Sequence, residues 1–260
     1  MMTTRQLLLC TWDWNPFLIA LCIVVLFFFA LLCRWKFCGR SFLFIIAVGL
    51  FFLALDSPIS YLAKGILFSA HMIQHLLLVL IVPALVLLGF PETPQSRPLH
   101  MAWFQYPLVP WICGVGAMWV WHIPAFCKAA ASNDWTHALQ TFSLLVLGGL
   151  FWWPILGPRT EERLSPLSGI VYLFSGCIAC TLLGIWSSFS SVSVCPAFSN
   201  LSDPLCLKLP IGKSWPLSPS ADQQIGGLLM WVPTCLVYLI AILVLLGRLY
   251  GHLDLKKESE

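Results

Sequence analysis

His71 and His75 are the residues of this chain whose type and spacing first promise chemistry. Four positions apart on a helix, at about 1.5 Å rise per residue, they stand roughly 6 Å apart along one face. Both imidazoles can then reach a common ligand, and copper, zinc, iron and haem iron all accept imidazole nitrogen. The surrounding stretch is apolar enough to lie in a membrane, where a polar side chain is costly and therefore informative. Each ring could instead hydrogen-bond to a neighbouring helix. No Ser/His/Asp arrangement, phosphate-binding loop or metalloprotease motif accompanies the pair, so the expected chemistry is binding, not catalysis.

The elements that must carry these rings follow from composition. Of 260 residues, 59% are hydrophobic and 10% charged, with mean hydropathy +0.88. Soluble domains carry roughly 25% charged residues, so an all-α, polytopic membrane helix bundle is expected as one domain over residues 1–260. The net charge of +3 is small and spread through the loops, which argues against nucleic acid as a partner. Apolar runs predict about seven transmembrane helices, at residues 16–33, 41–55, 62–88, 103–121, 137–156, 167–186 and 222–248, the third kinked at Pro83. The polar lead before the first run contains Asp13 and no small-residue cleavage site follows, so that run reads as a helix and not a signal peptide.

Seven spans put the termini on opposite sides. One set of loops holds nine basic residues, including the cluster Arg34, Lys36 and Arg40, and the other set holds five. The positive-inside bias then predicts an outer N-terminus and a cytoplasmic C-terminus. A re-entrant second helix would invert every later assignment. With this orientation His71, His75, His122 and His137 gather at the outer face together with Asp56 and Asp222, while His100 and His252 fall on the cytoplasmic side. Four imidazoles and two carboxylates at one face favour a metal or cofactor site, the carboxylates accepting the free imidazole N–H and so orienting the rings.

Other residues carry less. Cys177-Ile-Ala-Cys180 has redox or metal spacing but lies at mid-membrane depth with no charged neighbour. Cys195 and Cys206 share an exported loop where a disulfide is allowed, and Cys127 is expected to be a free thiol reactive from outside. Met230 is a soft thioether that suits Cu(I), though core packing is the preferred reading of it.

Taken together, His71-Met-Ile-Gln-His75-Leu-Leu-Leu, Trp121-His122-Ile123-Pro124, His137-Ala-Leu-Gln, Phe151-Trp152-Trp153-Pro154-Ile-Leu and Asp222-Gln223-Gln224-Ile-Gly226-Gly227-Leu-Leu-Met230-Trp231 resemble the polytopic CtaG family of bacterial cytochrome c oxidase assembly factors. The likeness runs from about Asp56 to Tyr250. The resemblance implies a non-enzymatic copper chaperone of the bacterial plasma membrane, taking copper, expected as Cu(I), from an external donor protein. The ligands would be His71, His75, His122 and His137, supported by Asp56, Asp222, Gln223 and Met230, and the recipient a cytochrome c oxidase subunit inserting into the same bilayer. One departure stands out: the family's fifth-helix motif has a second histidine where this chain has Thr141. Two rival readings are a haem b-binding electron-transfer protein, with Gly114, Gly116, Gly226 and Gly227 making room for a porphyrin, and a metal transporter.

Overall fold

The computed structural model of the chain describes residues 11–35, 39–91, 106–198 and 217–258, with side chains as far as residue 251. Every helix and turn of regular structure among them is helical, with no strand among the described residues. In chain order the helices are α1 (Pro16–Leu32), α2 (Ser41–Asp56), α3 (Pro58–Ala63), α4 (Phe68–Leu76), α5 (Val82–Gly89), α6 (Leu108–Trp121), α7 (Pro124–Ser132), α8 (Asp134–Leu156), α9 (Pro166–Phe189) and α10 (Pro219–Glu258). Five of them begin on proline, at Pro16, Pro58, Pro124, Pro166 and Pro219. A first-turn N–H has no partner inside a helix, so proline loses nothing there and its fixed φ suits the start. Asn15, Ser57, Asn133 and Ser165 precede helices and accept from first-turn amides with their side chains.

Four helical stretches are long and apolar enough to cross a membrane: Phe68–Gly89, Asp134–Leu156, Pro166–Phe189 and Pro219–Gly251. A fifth is counted if α6 and α7, bent by 73° across the break at His122 and Ile123, form one span. The molecule is thus a helical membrane protein with four to five candidate spans. The remaining two of the expected seven are α1 and α2, apolar but only 17 and 16 residues long, below the roughly 20 a straight span needs. The expected third span does not start at residue 62. A separate short helix, α3, runs through to Ala63, and Gly65 at φ +91° turns the chain before α4 begins at Phe68. Residues 103–105, the expected start of the fourth span, lie outside the described residues.

The histidine-bearing span is the one most enclosed by protein, 61% buried against 22–39% for the other three. It is continuous but not uniformly α: Leu77–Ile81 forms a π turn between α4 and α5. The expected irregularity at Pro83 therefore takes the form of a π turn one turn earlier. Pro83 has no N–H for the Val79 carbonyl four residues back, so the i+4 bond cannot form there and the wider π spacing replaces it. Gly148 of α8 lies directly against it, and a Cβ there would overlap the Val79 oxygen. On the other side Gln74 donates to the Ala54 carbonyl of α2 at 2.9 Å. The span is held on both flanks.

A candidate metal-binding site in the buried histidine span

α4 begins where α10 reaches it. The Asp222 carboxylate accepts from the Phe68 amide at 2.6 Å, the Ser69 amide at 3.2 Å and the Ser69 hydroxyl at 2.5 Å. An anion on unpaired amides at a helix N-terminus is favourable in charge and in hydrogen bonding. This fixes α4 three residues before His71. Asp222 was expected to orient imidazoles; its hydrogen bonds go instead to the α4 backbone. Asp56 likewise spends Oδ1 on the Asn15 amide at 3.0 Å, while its Oδ2 is buried without a partner.

His71, His75 and His122 are each only 1% exposed. Their rings form a short line, with centroids 4.2 Å apart between His71 and His75 and 5.4 Å between His75 and His122. Both nitrogens of His71 and both of His75 are buried and lack a hydrogen-bond partner. The Ala63 backbone and the Gln140 amide are near these rings but outside hydrogen-bonding geometry. A buried polar atom left unpaired is costly, so four of them together make this the candidate ligand site.

His122 adds a third ring and a sulfur neighbour. Its Nδ1 lies 2.6 Å from the Met118 carbonyl; a carbonyl only accepts, so Nδ1 carries the proton. Nε2 then presents a lone pair, and what it faces at 3.2 Å is the thioether sulfur of Met72. Two Lewis bases pointed at each other are a poor contact alone and a good one around a cation. Met72 escaped sequence reasoning although it follows His71 directly. A residue one position on leaves a helix at about 100° to its predecessor, and only the bend after α6 brings His122 round to meet it.

The other expected residues do different things. His137 lines a mainly apolar groove of about 690 Å³ with Thr141, Lys64, Asp13 and Pro83, and its Nε2 is buried and unpartnered. Met230 is fully buried in the apolar cluster that holds Met72 and Phe68. Gln223 ties down the segment after α9: it accepts from the Val194 amide at 3.1 Å and donates to the Ser187 and Ser190 carbonyls at 3.1 and 3.2 Å. In that segment the Phe198 ring sits 5.3 Å from His71 and 5.7 Å from Phe68, covering that side of the site.

Two expectations are corrected here. Cys195 is bonded to Cys127 of α7, not to Cys206, which lies outside the described residues. Cys127 is consequently no free thiol for an external reagent. The glycines that a porphyrin would need are also occupied. A Cβ on Gly114 would stand 2.5 Å from Phe151 Cβ, Gly226 abuts Phe68 and Met72, and Gly227 abuts Ser188; only Gly116 faces open space.

As the rings stand, no three His, Cys, Asp or Glu side chains among the described residues surround a common point. The donor set is nevertheless coherent: imidazole nitrogen and thioether sulfur, in an enclosed setting, suit a soft monovalent ion at low coordination number better than a hard divalent one.

Comparison with known proteins agrees with the helical pattern. A family model described as cytochrome c oxidase caa3 assembly factor (Caa3_CtaG) matches residues 24–252. Uncharacterized proteins of Mycobacterium leprae (strain TN), Mycobacterium bovis and Mycobacterium tuberculosis are each 26% identical over 205 residues, covering 70% of this chain. The chain spans about a third of the length of these relatives, 30% in each case. No solved structure matches.

Proposed function

The chain belongs to the cytochrome c oxidase caa3 assembly factor family, and from that premise we propose that it holds Cu(I) near the outer membrane face and hands it to an oxidase subunit. The observation carrying this reading is the buried line of His71, His75 and His122, with four unpartnered nitrogens and one lone pair facing the Met72 sulfur. These residues would hold the ion. His137, half-buried and set in the groove beside Lys64, is the natural point of arrival or departure. Copper is cargo here and no reaction is needed, so the role is non-enzymatic. The partners are the oxidase, the lipid bilayer and an external copper donor, in the bacterial plasma membrane.

The full seven-span topology, with the N-terminus outside, is part of the proposal. The Cys127–Cys195 disulfide supports it, because such bonds persist in oxidising compartments and this one lies at the histidine end of the bundle. Competition with a calibrated Cu(I) chelator tests the central claim. The His71→Ala/His75→Ala double variant is expected to lose at least about 100-fold in affinity, or about 2.7 kcal/mol. Unchanged affinity would end the metal reading.

A further inference from the structure

Cys177-Ile-Ala-Cys180 has the spacing of a redox motif, yet Cys177 finds its partner on another helix. Its Sγ lies 2.9 Å from Sγ of Cys235 on α10. Unbonded carbon atoms rest about 3.5–4.0 Å apart and sulfur is larger, so these two thiols are pressed together. The helices cannot draw back without breaking the seam between them. A Cβ on Gly184 of α9 would stand 2.7 Å from Trp231 Cβ and 3.0 Å from the Gly227 carbonyl, so the backbones are already in contact nearby. Cys180 is buried beside Tyr238 and takes no part in the 2.9 Å contact.

Both thiols are half-buried, and Phe174, Ile178, Leu236 and Leu239 around them are exposed on the apolar outer surface of the helices. The pair therefore opens to the lipid phase, reachable by hydrophobic reagents and shielded from charged aqueous ones. The Thr181 hydroxyl, 3.3 Å from Cys235 Sγ, can donate to that sulfur as its proton leaves.

The geometry points to Cys177 and Cys235 as an intramembrane dithiol that a lipid-soluble oxidant of the quinone class converts to a disulfide, stapling α9 to α10. Two S–H bonds break and one S–S bond forms. The two electrons and two protons pass to the quinone, which becomes a quinol. The inference is independent of the metal reading, since no histidine enters it.

The test uses the whole chain in lipid nanodiscs, treated with duroquinone, whose fully substituted ring cannot add thiols. Free thiols are then blocked with N-ethylmaleimide and the protein is digested without reductant for peptide mass analysis. The expected product joins the peptides of Cys177 and Cys235 with loss of two hydrogens, in the natural chain and in Cys180→Ser. It is absent from Cys235→Ser. The Cys127–Cys195 linked peptide, present in every sample, reports that each variant folded. Full alkylation of both thiols in the natural chain after oxidation, or a Cys177–Cys180 bridge instead, would overturn the inference.

Discussion

A thioether beside an imidazole is a different proposition from a second methionine in the core, and single substitutions separate the two. Met72 and Met230 are both fully buried in one apolar cluster, but only Met72 meets a ring nitrogen. Met72→Leu keeps the volume, so it should cost under about 1.5 kcal/mol of stability. It should still weaken Cu(I) binding by about tenfold in chelator competition, whereas Met230→Leu should leave binding unchanged. Asp222 acts at the same scale through the backbone. Asp222→Asn removes the charge from two amides and one hydroxyl and should lower stability by about 1–3 kcal/mol, read from chemical denaturation. The histidine positions of this site were legible in the sequence because imidazoles are rare in apolar runs. The Met72 contact was not, since one more methionine in such a run carries no signal.

Among the helices, the contacts that decide the arrangement are small residues against backbone. Gly148 and Gly149 are neighbours on α8 with opposite surroundings: the first lies on the Val79 carbonyl, the second faces open space. Gly148→Ala should therefore destabilise by about 1–3 kcal/mol through overpacking. Gly149→Ala should be neutral or stabilise by up to about 1 kcal/mol, from helix propensity. Thermal unfolding of the two variants in one detergent gives the comparison; equal effects would mean that the π turn does not seat on α8. Apolar runs and proline starts made the helices readable. The π turn, the 73° bend after α6 and the separation of α3 from α4 were not, because each depends on what packs against the chain after it folds.

For the molecule as a whole, the Cys127–Cys195 bond joins positions 68 residues apart, and the nearer cysteine in sequence, Cys206, was the more obvious partner for Cys195. Proximity along the chain misled because α7 folds back under the segment after α9. Replacing Cys127 with serine should cost about 2–4 kcal/mol and loosen Phe198 over His71. Fusions to the C-terminus report the orientation: a fluorescent protein should be bright there and alkaline phosphatase inactive. The opposite pattern would reverse the topology.

The carboxylate that caps α4 stands 154 residues further along the chain than the amide it receives. At synthesis rates of about 5–20 residues per second, roughly 8–30 s separate the making of the two. Until α10 arrives, the Phe68 and Ser69 amides of the histidine helix lack this carboxylate. Chains ending before residue 222 should hold copper poorly although every proposed ligand is present. The start of α4 is thereby completed only after α10 has been made, so a shorter nascent chain presents His71 and His75 on a helix without its capping carboxylate.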